Sequence, residues 1–230
     1  MADVLRLWSW DKDTLCALKG VRNMIESRVG KPGIRWTALS SYAAGVTGIV
    51  ANLFLIAFFT LPDNLPVRAA SFGPANDLVG SLGAAFMIPV AVTLSAWLPE
   101  RLLYRIIQVL GLSAMAILVV GGPLLILGVL EFEVQAPIMM GAWVILSLWL
   151  FLVNRWLRSS GALPPRTARF GEAIGGLVLV AGALVGFGLL LPWMSWPQLI
   201  FFGAGGVLAV IGMLGTPFWF LLLGRHLGRS

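Results

Sequence analysis

Six stretches of this chain run for about twenty residues, the length of helix that crosses a bilayer core, without one charged side chain: residues 39–61, 78–98, 106–130, 134–153, 173–191 and 199–223. Apolar runs of this length are too long for buried strands, which span about 4 to 8 residues. They also lack the alternation of polar and apolar positions that marks a membrane β-barrel. The pattern therefore predicts an all-α polytopic membrane protein with six transmembrane helices. No Asp, Glu, Lys, Arg or His falls inside any of the six windows.

The pattern before the first window is different. From Asp13, a suitable N-cap, Leu15, Leu18, Val21, Ile25 and Val29 recur at helical spacing, while Lys19, Arg22, Asn23 and Glu26 occupy the other side. Gly30 and Pro32 supply a stop. The spacing predicts an N-terminal amphipathic helix lying on the cytoplasmic face of the membrane, with a docking helix for a partner protein as the alternative. No continuous apolar core of a secretory signal is present, so no cleavable leader is expected. The chain divides into a cytoplasmic segment, residues 1–35, and a six-helix domain, residues 36–230.

Composition supports the membrane assignment and orients it. Of 230 residues 59% are hydrophobic and 11% charged, with mean hydropathy +0.92, against about 25% charged in soluble proteins. Sixteen Lys and Arg against ten Asp and Glu give a net charge of +6. If the N-terminus is cytoplasmic, every basic residue except Arg68 falls on the inner side, the orientation the positive-inside rule demands. The chain is thus expected in the cell membrane with both termini cytoplasmic. Arg68 shares the outer segments with Asp63, Asp77, Glu131 and Glu133. Asp77 is expected to cap the second span, and the three prolines of the 62–77 loop argue against helix there. The outer negative charge reads as the counterpart of basic residues kept inside, or as a vestibule that attracts cations. Trp36, Trp97, Trp149, Trp156 and Trp219 fall near inner span ends, and Trp193 and Trp196 bracket an outer turn, as interfacial aromatics should. Trp143 is the exception, near mid-membrane. The 154–171 segment reads as a flexible basic connector that meets lipid phosphate; without a stacking platform of aromatics, nucleic acid is excluded as a partner.

Within the spans the informative residues are small, helix-breaking or polar. Gly171, Gly175, Gly182 and Gly186 follow one helix face in two GxxxG motifs, and Gly205, Ala209, Gly212 and Thr216 follow one face of the next span, which predicts a tight hairpin of the last two helices. Pro89, the Gly121-Gly122-Pro123 run and Pro217 are candidate helix breaks, either simple kinks or the discontinuities by which transporters expose carbonyls. Asn52, Thr93 and Gln108 are the polar side chains expected to make interhelical hydrogen bonds or to line a polar path.

The residues that are missing constrain function further. One Cys and one His exclude an internal disulfide, a Cys/His zinc site and a bis-histidine haem, so no cofactor or metal is expected. An intramembrane serine protease needs an embedded His, and metal-dependent membrane enzymes need clustered acids or histidines, whereas His226 lies in the tail. A non-enzyme is therefore expected. The first class is a non-catalytic membrane subunit or scaffold whose partners are the bilayer and a cytoplasmic or membrane protein. The alternative is a transport component: an interfacial helix followed by six spans is similar in layout, by span count alone, to the permease of an ATP-driven exporter. The sequence sets no oligomeric state.

Overall fold

The computed structural model describes residues 12–61 and 71–229, with side chains from residue 33 onward. Its six helices are α1 (Lys12–Thr60), α2 (Gly73–Ser95), α3 (Leu102–Ile126), α4 (Phe132–Ser159), α5 (Pro165–Leu189) and α6 (Trp196–Gly228). Each holds a segment long and apolar enough to cross a membrane, Gly33–Thr60 in the case of α1. The chain is all-helical over the described residues.

Helix ends differ from the apolar windows for a physical reason. The windows stop at charges, but a helix continues past the hydrocarbon wherever long basic side chains can reach water. Thus α4 carries Arg155 and Arg158 and α5 carries Arg166 and Arg169. The connector expected to be flexible shrinks to residues 160–164. It is a tight turn in which Gly161 takes φ +70°, while Gly161 and Ala162 donate to the Arg158 and Leu157 carbonyls (3.3 and 3.0 Å), closing the helix end. Leu163 is buried, and Arg158 pairs with Glu172 across the turn at 3.0 Å.

Two corrections concern the first helices. The stop expected at Gly30 and Pro32 is absent, and α1 runs through both to Thr60. A proline inside a helix removes one donor, which a long helix absorbs as a local bend. The amphipathic stripe before residue 33 rests on side chains outside the described residues. Asp77 is not the cap of α2. The helix begins four residues earlier, with Phe72 at the N-cap and Pro74 in the first turn, where a proline loses no helical hydrogen bond.

The six helices form a closed ring. Each packs against its neighbours in sequence, and α6 returns to pack against α1, so all adjacent pairs are antiparallel. The α1–α6 seam depends on glycine. A Cβ on Gly48 would lie 2.7 Å from the Pro217 ring, and one on Gly45 would lie 2.6 Å from the Leu221 side chain. Ser41 Oγ donates to the Phe220 carbonyl across the same seam (2.6 Å).

The expected α5–α6 hairpin forms, but with a different use of glycine. Gly205 and Gly212 of α6 face α5, meeting Val185 and Val178. Gly175 and Gly182 of α5 turn instead towards α4: a Cβ on Gly175 would lie 2.7 Å from the Ser147 carbonyl oxygen, and one on Gly182 would meet Val144. Gly171 at the start of the same face meets both neighbours, Asn154 of α4 and Trp219 of α6.

The proline positions read as candidate breaks are not breaks. Helices α2, α3 and α6 continue through Pro89, Pro123 and Pro217, and α4 likewise continues through Pro137. Gly121 and Gly122 are instead close-approach residues. A Cβ on Gly122 would fall 2.6 Å from both the Asp77 carbonyl oxygen and Ser81 Oγ of α2, while one on Gly121 would strike the Met139 sulfur of α4. The doubled glycine lets α3 fit between two helices at once.

Candidate functional site: a blind lumen within the ring

Along the ring axis, side-chain size divides the structure. The half nearer the chain termini, here the terminal half, is filled by Leu94, Met115, Trp149, Val153, Trp219 and Phe220, all almost completely buried. The distal half, nearer the α1–α2, α3–α4 and α5–α6 turns, has small residues facing inward. Cβ atoms added to Gly80, Gly141 or Gly186 would meet nothing within 4 Å. The result is a cavity of about 470 Å³ lined by residues of all six helices. That volume lies within the range of about 300–1,000 Å³ typical of small-molecule sites. Beneath it the packed terminal half forms a plug, so the lumen is blind.

The plug is held by polar side chains as well as by packing. Trp149 Nε1 donates to Gln108 Oε1 (2.9 Å), and Gln108 Nε2 donates to the Ala91 carbonyl (2.8 Å), linking α4, α3 and α2. Trp219 Nε1 donates to Asn154 Oδ1 (3.0 Å), and Asn154 Nδ2 donates to the Leu150 carbonyl (2.8 Å), joining α6 to α4. Trp149 and Trp219 are therefore core anchors, not the interfacial aromatics expected; an indole N–H buried away from water requires such an acceptor. Thr93 shares a 2.7 Å hydroxyl contact with Thr37 between α2 and α1. Thus Gln108 and Thr93 make interhelical hydrogen bonds and lie outside the lumen.

Asn52 behaves differently. It lines the lumen and makes no side-chain hydrogen bond with any described residue. Gln135, on the opposite side of the ring in α4, also lines the lumen, is only 5% exposed, and has a side-chain amide without a partner among the described residues. Asp77 reaches the lumen from α2, and its carboxylate has one long hydrogen bond, from Asn76 Nδ2 at 3.4 Å. At about 1.5 Å of rise per residue, Asp77 and Gln135 lie roughly 6 Å or less from the distal ends of their helices, at the mouth of the lumen. Met87, Met139, Met213, Leu118 and Val178 make the deeper wall apolar. Methionine thioethers give such a wall an adaptable shape.

Some of these residues escape sequence reading. Gln135 sits at the edge of its apolar window, where a polar residue resembles an interfacial one. Trp143, the mid-membrane aromatic, lines the lumen; its position is the sequence signal for an interior that is not lipid. Asp77 falls one residue outside its window yet inside its helix, so the expectation of spans free of ionisable groups fails at this position. Among the packing glycines, Gly182 and Gly186 also line the lumen.

No family model matches this chain, and neither the curated proteins nor the solved structures contain a detectable relative.

Proposed function

We propose that this chain is a non-catalytic membrane protein that takes a small amphiphilic molecule into the lumen from the distal side, as a binding or transport component. The observation that carries the reading is the blind lumen itself, with two side-chain amides that no described residue satisfies. Both amides line the lumen without a partner among the described residues, so a ligand that enters finds hydrogen-bonding groups already in place. A scaffold has no need of an inner void, so of the two classes open from sequence the transport component is favoured. The distribution of Lys and Arg supports termini in the cytoplasm and a lumen open to the outside, in the cell membrane. The basic terminal face would then meet anionic lipid or a cytoplasmic partner.

Gly186 offers a direct test. A phenylalanine there meets no neighbour at Cβ, so it fills the lumen without disturbing a helix contact. Protein reconstituted in zwitterionic lipid nanodiscs should bind an environment-sensitive amphiphilic dye saturably, and Gly186→Phe should abolish that binding while helicity and melting temperature hold. Saturable binding that survives Gly186→Phe, or its absence from the native protein, contradicts the reading.

A further inference from the structure

We infer that the lumen selects amphiphiles with a cationic head, bound as an ammonium group at the distal mouth against the Asp77 carboxylate. The inference rests on the ligand-binding reading above and adds the chemistry of the ligand to it. Three observations converge on the mouth.

The first is charge. Asp77 lies on the lumen wall within α2, half-buried, with no cation paired to it among the described residues. Its one hydrogen bond, 3.4 Å from the adjacent Asn76 amide, is long for a charged acceptor, for which about 2.7–2.9 Å is usual. A carboxylate facing an apolar cavity favours a counter-charge. Arg68, the sole basic residue of the outer segments, lies outside the described residues.

The second is the unpartnered amide of Gln135, which is buried and lines the same cavity. Gln135 is one turn distal to Met139, and Met139 meets Gly121; Gly122 meets the backbone of Asp77. The contacts of this glycine pair place Asp77 and Gln135 within about one helical turn of each other in depth, on either side of α3. The Gln135 carbonyl oxygen is an acceptor, so an ammonium with three N–H donors can use it together with the carboxylate.

The third is polarity along the axis. The carboxylate and the Gln135 amide stand at the mouth, whereas Leu118, Met87, Met213 and Val178 lie deeper. A head held at Asp77 therefore directs an alkyl or aromatic tail towards the plug. Anions are disfavoured by the same carboxylate, and neutral amphiphiles lose the charge-assisted contact.

Competition against the dye in nanodiscs tests the assignment, using three probes of equal chain length: dodecylammonium, a neutral dodecyl glucoside and dodecyl sulfate. Each is corrected for partition into protein-free nanodiscs. Dodecylammonium should compete at about tenfold lower concentration than the neutral probe, the value of one charge-assisted contact, with the sulfate weakest. Asp77→Asn should bring the ammonium to the level of the neutral probe, each competition being scaled to that variant's own dye affinity, and Asp77→Glu should retain the preference. Equal competition by ammonium and neutral probes in the native protein, or a preference unmoved by Asp77→Asn, overturns the inference and leaves the lumen reading intact. A preference that emerges only in Arg68→Ala also overturns it, because Asp77 is then neutralised within the chain. Failure of every probe and of the dye to bind saturably sinks both readings together.

Discussion

Replacing Gly122 with alanine is expected to lower the stability of the ring by about 2–3 kcal/mol, at the upper end of overpacking costs, although alanine is the better helix former. The added methyl carbon would sit 2.6 Å from the Asp77 carbonyl oxygen and from Ser81 Oγ. Ser81 is itself fixed, donating to the Leu118 carbonyl across the same seam at 3.1 Å. A backbone oxygen cannot rotate aside as a side chain can, so α2 and α3 must separate. Separation at this height also widens the mouth between Asp77 and Gln135, so Gly122→Ala should weaken dye binding as well. Gly186→Ala is the matching control: with open space around its Cβ, it should be neutral or stabilising by up to about 1 kcal/mol through helix propensity. Thermal unfolding of the two variants in the same detergent checks both, and equal melting temperatures would contradict the assigned helix contacts.

The second large effect is expected at Asn154. It is fully buried, accepts from Trp219 Nε1 at 3.0 Å, and donates to the Leu150 carbonyl at 2.8 Å. Asn154→Leu orphans the indole N–H, since Trp219 is fully buried too. An orphaned buried donor costs about 1–3 kcal/mol. Hydrogen bonds between membrane helices average only about 0.6 kcal/mol by double-mutant cycles, because the unfolded helices find other partners in the bilayer. The orphaning outweighs the lost bond here, because Leu keeps the branched shape of Asn but offers the indole no acceptor. A loss of about 2 kcal/mol is expected. In the Trp219→Phe background the same substitution should cost less than half as much, since no donor remains to be stranded. Additive losses in the cycle would show that packing, rather than the indole hydrogen bond, sets the cost.

The six spans were legible because hydrocarbon tolerates no unpaired charge, which makes a window free of Asp, Glu, Lys, Arg and His a physical ruler. That ruler measures hydrocarbon and not helix, which is why Arg155, Arg158 and Arg225 fall outside the windows and yet continue α4 and α6. Adjacency of α5 and α6 was legible from the short turn between them. The ring was not, because its closing contact joins Gly45 and Gly48 to Pro217 and Leu221, far apart in sequence and marked by nothing beyond ordinary small and apolar residues. The lumen was hidden for a related reason. Small residues that let helices touch and small residues that leave a void look the same in sequence: Gly175 packs against a backbone carbonyl, while Gly186, on the same helix, faces open space. Proline was misleading in the other direction. Pro217 reads as a break, but its ring is the knob that fills the Gly48 notch of α1. The amides divide by environment rather than by identity, with Gln108 tied between helices and Asn52 and Gln135 left to the lumen.

The central claim is that the ring encloses a space open at one end and sealed at the other. It is tested most directly by thiol accessibility in sealed vesicles of known orientation, with the native Cys16 replaced by Ser. Single cysteines are placed at Met139 on the lumen wall and at Val153 in the plug. A small membrane-impermeant thiol reagent applied to the face opposite the termini should label the Met139→Cys protein, and a lumen-filling phenylalanine at Gly186 should block the reaction. The Val153→Cys protein should remain unlabelled from either face until it is denatured. Labelling at Val153 in the folded protein, or protection at Met139 from the distal side, would contradict the account.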